Sequence, residues 1–422
     1  MNRSVVARCL MAFAATVAVV VVPTIAQAAP PGMPPGLADK DVCAPPVPGV
    51  ARCHAKVVTE AKNGQRYAEQ SYTTGLRPVD LHAAYDLAAI PDPSPTFTGN
   101  GRTVAIVDAY DNPNAAADLV AYRQQFGLPL CPTQATTPSA DDLTSCFFTK
   151  VNQLGKPTPP AANVSWGQEI DLDIEMVSAT CPDCKILLVE ANSASFADLG
   201  TAVDTAAGAH VTAMSNSYGG SEFRGETGSA YNGHFNHPGI AITVSSGDSG
   251  YGTQFPAASQ YVTAVGGTHL ATSATDRGWT ETAWSGAGSG CSAYIGHQGW
   301  QPKVGSCNGR MVADVSAVAD PGTGVAVYDS YGSTGGANWY VFGGTSVASP
   351  IVASVYALNG DTTTFAPAHL YTGSGDLNDV TSGSNGRCVI SKRDASNAAL
   401  CTAGAGYDGP TGLGTPNGVG AF

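Results

Sequence analysis

The sequence predicts an α/β protein: a parallel β-sheet flanked by helices on both faces, within one large domain. Two observations carry this. Several short apolar runs end in Gly, Ser, Asp or Asn: RTVAIVDAY (102–110), KILLVEAN (185–192), HVTAMSNSYGG (210–220), GIAITVSSGD (239–248) and YVTAVGGT (261–268). Strands without apolar/polar alternation are buried on both faces, as in parallel sheets. Between some of them lie helical patterns such as DLGTAVDTAAG (198–208), which can supply the covering layers. With 422 residues, 43% of them hydrophobic, the chain is long enough for such a core.

Arg3 and Arg8 precede the apolar run LMAFAATVAVVVV, and Ala26-Gln27-Ala28 follows as a small-x-small cleavage site. Residues 1–28 therefore read as a secretory signal peptide, and the remaining chain as a secreted, extracellular protein with no membrane span. Residues 29–50, which open APPGMPPGLADKDVCAPPVPG, read as an extended or disordered leader. Residues 51–75 are polar and carry no assigned element, and 29–75 together stand as a short Pro/Gly-rich leader or reduced propeptide. From 76 to 422 the texture is that of a globular domain without linker or repeat.

Eleven cysteines are present, and Cys9 would leave with the signal. The remaining ten fall into sequence-near pairs, Cys43/Cys53, Cys131/Cys146, Cys181/Cys184, Cys291/Cys307 and Cys388/Cys401. In an oxidising compartment, five short-range disulfides are the simplest arrangement. The formal net charge of −13 argues against nucleic acid as a partner. Only 13% of residues are charged, and a surface poor in Lys and Arg limits positive self-repulsion in acid.

The chemistry centres on the strand ends, where ligands collect in open parallel sheets; Asp108, Ser217 and Asp248 sit there. The tetrapeptide GDSG (247–250) resembles the surroundings of the trypsin-like nucleophile, but it follows a parallel-type strand, in the wrong fold for that role. GGTSVASP (343–350) is the better candidate. Its glycines allow a tight turn into an apolar helix beginning near Ser346, placing a hydroxyl where backbone N–H groups favour developing negative charge. The plain alternative is a helix N-cap.

A serine needs a base, and no histidine lies in a suitable motif. In NVSWGQEIDLDIEMV (163–177), Ser165 and Gln168 form a capping-box pattern that opens a helix, with Ile170, Ile174 and Val177 on its apolar face. Glu169 and Asp173, four residues apart, then stack on one side. Exposed, they are an ordinary acidic first turn; buried, two such groups must share a proton.

Taken together, LRPVDLHAAYDL (76–87), TVAIVDAYDNP, the E-x-D-x-D helix, SNSYGG, SSGDSG, AVGGTHLA, ADVSAVADPGTGVAVY, GGTSVASP and GYDGPTGLGTP resemble the sedolisin family, serine-carboxyl peptidases with a subtilisin-like fold. The resemblance runs from about residue 76 to 422. It implies Ser346 as nucleophile, Glu169 as general base, Asp173 sharing a proton with it, and Asp248 as a protonated oxyanion donor. It also implies that Asp108 extends the carboxylate network and that Ser217, Tyr218 and Gly219 pair with substrate backbone. Tyr218 stands where many relatives carry Trp. A C-terminal Ca2+ site is implied at Asp379, the Val380 carbonyl, the Gly404 and Gly406 carbonyls, and Asp408.

The expected activity is acid endopeptidase action on protein or peptide substrates by a monomer. A tripeptidyl-peptidase on the same site is the alternative, and an inactive secreted binding protein a more distant one. A Glu base, with an ordinary pKa of about 4.3, stays ionised in acid where a His would be locked protonated. The resemblance implies a long folded propeptide as well, whereas here only residues 29–75 stand before the domain.

Overall fold

Val104, Ile106 and Asp108 face one way from their strand and Ala105 and Val107 the other, and both rows are buried. The same holds for Ile186 and Leu188 against Leu187 and Val189. Strands apolar on both faces can only be covered on both faces, and the chain does this. The structure is a computed structural model that describes Met1 and residues 33–69, 72, 74–87, 102–134, 146–332, 338–361, 363–388 and 392–422. The expected signal peptide lies outside the described residues, Met1 apart.

The central sheet contains β1 (Thr103–Ala109), β2 (Thr133–Gln134), β3 (Phe148–Asn152), β4 (Lys185–Ala191), β5 (Ala213–Asn216), β6 (Ala241–Ser245), β7 (Thr263–Thr272), β8 (Trp279–Ala283) and β9 (Val315–Val318). Their order is β2-β3-β4-β1-β5-β6-β7-β8, with β9 also paired to β7. Every pairing is parallel except that of the edge strand β8 with β7. β1 lies between β4 on one side and β5 on the other, and the chain changes sides of the sheet across it, so a crevice forms at the carboxyl ends of β1 and β5.

Four helices share one face: α1 (Pro78–Ala84), α2 (Ala115–Phe126), α3 (Val164–Thr180) and α5 (Thr345–Asn359), with α4 (Phe196–Gly208) on the other. α3 is buried from Trp166 to Thr180, which explains its apolar residues all round but makes its carboxylates conspicuous. Its start departs from the sequence expectation. The cap is Asn163, not Ser165: Asn163 is extended (φ −143°, ψ 125°) and its side chain accepts from Trp166 N at 3.1 Å, so Ser165 already lies inside the helix.

A smaller sheet aligns the strands Leu37–Asp41, Lys56–Glu60, Asn338–Gly343 and Val325–Asp329 in that order, with Ala68–Glu69 also on Asn338–Gly343. The described part of the segment read as a leader contributes the extended strands Leu37–Asp41 and Lys56–Glu60, which are built into the body. Val57 and Val58 are buried against it, which the polar texture around them concealed. The five expected disulfides all form. Among the described residues, no helix is long and apolar enough to cross a membrane.

Candidate active site

Ser346 lies in the first turn of α5, fully buried. The turn before it depends on Gly344, whose φ is +96°; a Cβ there would collide with the His54 carbonyl oxygen and with Asp248 Oδ2. The Ser346 hydroxyl donates to the Ser217 carbonyl at 3.3 Å. Ser217 follows β5 directly and also reaches α3, its own hydroxyl donating to Asp173 Oδ1 at 2.9 Å. One residue at a strand end thus links the helix carrying the candidate nucleophile to the helix carrying the carboxylates, and the two helices pack together.

Glu169 and Asp173 are fully buried, as is Asp108, so the solvated acidic turn is not what the fold makes of them. Among the described residues, both oxygens of Glu169, both of Asp108 and Asp173 Oδ2 lack a partner within ordinary hydrogen-bond geometry. Burial, then Asp173 and Asp108, raises Glu169 well above the usual carboxyl range, opposed by the Ser346 hydroxyl. Asp173 is raised by burial and by Asp108, with the Ser217 hydroxyl opposing. Burial takes Asp108 to about 8. Three carboxyls so placed give up their protons one at a time, as a unit. Asp108 arrives there because it shares the face of Val104 and Ile106, toward α3.

Asp248 sits in the loop after β6. Its Oδ1 accepts from Thr345 N at 2.8 Å and from Thr345 Oγ1 at 2.9 Å, while its Oδ2 is buried with no partner among the described residues. Burial raises its pKa to about 7, against Lys56 and the Thr345 bonds. In acid it is neutral, with a proton available on Oδ2 beside the Ser346 turn. Ser249, the serine of GDSG, is exposed at the surface.

Ser217 leads into the strand Tyr218–Ser221, whose Tyr218 hydroxyl donates to Asn216 Oδ1 at 2.8 Å. Tyr218 and Gly219 pair antiparallel with Cys53 and Arg52 of the N-terminal segment. His54 follows, fully buried, its Nδ1 2.7 Å from Ser245 Oγ and its Nε2 3.0 Å from Gln254 Oε1. Burial, with Arg52 nearby, lowers this imidazole to about 3, so it is neutral. Sequence reading missed His54 and Lys56 because nothing in a proline-rich leader signals that it returns to the sheet ends.

The residues expected to hold a metal also converge. Gly406 N donates to Asp379 Oδ2 at 2.9 Å and Gly404 N to Asp408 Oδ2 at 3.0 Å, and Val380 is buried beside them. Burial raises Asp408 to about 7, and the Asp379 charge adds to the rise. Two carboxylates that repel each other are oxygen donors suited to a hard cation, although here Asp408 Oδ1 also accepts from Thr411 N and Oγ1. A second acidic group, Asp118, Asp171 and Asp329, lies buried on the other side of α3. Asp171 was visible in E-x-D-x-D, but its partners come from distant segments.

No family model matches the chain. Kumamolisin of Bacillus sp. (strain MN-32) is 30% identical over 408 residues, covering 88% of this chain and 67% of that protein. Tripeptidyl-peptidase sed1 of Aspergillus fumigatus is 27% identical over 238 residues, 42% of this chain and 34% of that protein. Among solved structures, Pseudomonas sedolisin, a serine-carboxyl proteinase complexed with two molecules of pseudo-iodotyrostatin, superposes with a TM-score of 0.64 at 25% identity. That match covers 82% of this chain and 96% of that one.

Proposed function

The chain belongs to the sedolisin family of serine-carboxyl peptidases, and on that footing we propose that it is a secreted, acid-acting endopeptidase whose nucleophile is Ser346. The observation that carries this is the joining of α3 and α5 through Ser217, which receives the Ser346 hydroxyl and donates to Asp173 inside a buried carboxyl cluster. In this reading Glu169 takes the Ser346 proton as Oγ adds to the substrate carbonyl, then returns it to the leaving amine. Asp173 and Asp108 keep the cluster at a single shared charge. Asp248 donates from Oδ2 to the tetrahedral oxyanion together with the amides at the start of α5. An acid in that role works only while protonated, which ties the reaction to acid pH.

Substrates are proteins or peptides, lying along Ser217–Gly219 by β-addition. The five disulfides favour an oxidising compartment. Asp379, Asp408 and the carbonyls of Val380, Gly404 and Gly406 would hold Ca2+, which when bound would neutralise the two carboxylates and brace the C-terminal loops.

The test is digestion of a denatured protein from pH 2 to 8 by the wild type, Ser346→Ala and Glu169→Gln. Internal cleavage in acid, lost in both variants, is the expected result. Release of N-terminal tripeptides alone would make the protein an exopeptidase. Activity that peaks near neutrality and survives Glu169→Gln would overturn the carboxyl mechanism.

A further inference from the structure

On the side of α3 away from Glu169 and Asp173, a second set of carboxyls is buried that the chemistry above does not use. Asp118 comes from the first turn of α2, Asp171 and Glu175 from α3, and Asp329 from the end of the strand Val325–Asp329. All four are buried, none more than 1% exposed. An oxygen from each of Asp118, Asp171 and Asp329 lies within 4.8 Å of the other two. Glu175, one turn beyond Asp171, is near enough to feel the charges of all three. Its Oε2 accepts from Tyr328 N at 3.0 Å, beside Asp329 along the chain.

Two of these carboxyls are held by the turn that follows Asp329. Ser330 Oγ and N donate to the two oxygens of Asp118 at 2.6 and 3.1 Å, and Tyr331 N donates to Asp329 Oδ1 at 2.9 Å. Arg66 and Gln168 donate to Asp329 Oδ2 at 3.0 and 3.3 Å. Asp171 differs. Among the described residues, neither of its oxygens has a partner within ordinary hydrogen-bond geometry, and nor does Glu175 Oε1. Asn112, beside Asp171, gives its amide to the Gly167 carbonyl at 3.0 Å. A fully buried side chain thus points bare acceptors at two fixed carboxyls. Buried acceptors without donors are costly, and one guanidinium on Asp329 does not offset four carboxyls. Oxygens that share one calcium ion, each about 2.3–2.6 Å from it, stand at most about 5 Å apart, which this group satisfies. The turn Ser330–Gly332 over the group is half-buried and reaches the surface at Gly332, a short way in from solvent.

We propose that Asp118, Asp171, Asp329 and Glu175 form a cation site separate from the C-terminal one, taking a hard divalent cation such as calcium through oxygen ligands alone. Asp171 supplies its bare oxygens and Glu175 its free Oε1. Asp118 and Asp329 each keep acceptor capacity beyond the hydrogen bonds they receive, since a carboxylate offers about four lone-pair sites. The ion ties α2, α3 and the strand Val325–Asp329 together at one point. Its consequence for the candidate active site is positional: it fixes the helix whose other side carries Glu169 and Asp173. The site does not depend on the peptidase reading.

The test counts calcium on the purified full chain near neutral pH, by equilibrium dialysis and atomic emission. It compares the wild type with Asp408→Ala and with Asp171→Asn plus Glu175→Gln. Two ions per chain are expected in the wild type, one in each variant, and none when all three changes are combined. Asp171→Asn alone keeps the shape of the side chain and serves if the paired change does not fold; it should weaken the ion left in Asp408→Ala by about tenfold or more. Calcium should also slow amide hydrogen exchange along α3 in Asp408→Ala, which carboxyls holding protons alone would not show. A folded Asp408→Ala that binds no calcium would overturn the proposal. So would an ion that stays in Asp408→Ala and is indifferent to the changes at Asp171 and Glu175. A single wild-type ion that survives Asp408→Ala and is lost with Asp171→Asn would support this site and remove the C-terminal one. The count needs no turnover, so it stands apart from the outcome of the digestion test.

Discussion

Replacing Asp248 tests whether an acid stands in for a neutral oxyanion donor. Its Oδ1 is committed to Thr345 N and Oγ1, at 2.8 and 2.9 Å, which fixes the carboxyl and leaves the buried Oδ2 facing the Ser346 turn. Losing one preorganised oxyanion donor costs about 10²–10³ in kcat, or ~2.7–4 kcal/mol of transition-state stabilisation. Asp248→Ala should fall in that range with KM little changed, because the donor acts on charge that appears only in the transition state. The exposed Ser249 next to it should tolerate Ser249→Ala within about twofold. Asp248→Asn keeps an N–H donor at every pH, so it should lose less than Asp248→Ala. It should also lose the decline in kcat expected of the wild type as Asp248 ionises around pH 7. The assay is kcat and KM on a denatured protein or a quenched peptide from pH 3 to 8, with thermal melts to confirm folding. Equal large losses from Asp248→Ala and Ser249→Ala would refute the reasoning, as would a folded Asp248→Ala within threefold of wild type.

Other outcomes follow from the same geometry. Asp108 and Asp248, raised to about 8 and about 7, bind protons in the folded state that the unfolded chain has released, so their contribution is complete below about pH 4 and is lost as pH rises through those values. Thermal melts should therefore show the highest Tm in acid and a decline toward pH 8; a Tm that rises over this range would contradict it. Glu169→Gln should abolish turnover, by at least ~10⁴-fold, yet raise Tm at pH 7 relative to wild type, with the gain shrinking as pH falls. If Asp379 and Asp408 hold Ca2+, a chelator should lower Tm less in Asp408→Ala than in the wild type, and calorimetry should show one calcium ion fewer on the variant. Asn163→Ala removes the cap of α3 and should cost about 1 kcal/mol of stability, read in denaturant melts, with KM unchanged.

Periodicity and strand-end chemistry were legible in the chain itself. Apolar runs such as TVAIVDA and KILLVEA declare strands buried on both faces and put Asp108 at a strand end, while its facing toward α3 came from the fold. GGTSVASP places Ser346 at a helix start because glycine turns and apolar helices are local matters. The four-residue spacing likewise stacks Glu169 on Asp173 in any helix. Sequence-near cysteines foretold all five disulfides for the same reason. What needed the tertiary structure were relations between distant segments. Burial of α3 from Trp166 to Thr180 separates a proton-sharing pair from a solvated turn, and it depends on what the sheet and α5 pack against it. Asn163 rather than Ser165 caps α3 because the backbone is still extended at 163. The course of residues 52–56 depended most on the fold. Short strands without periodicity carry no local signal, and only pairing with Tyr218–Gly219 and with Asn338–Gly343 brings His54 to Ser346.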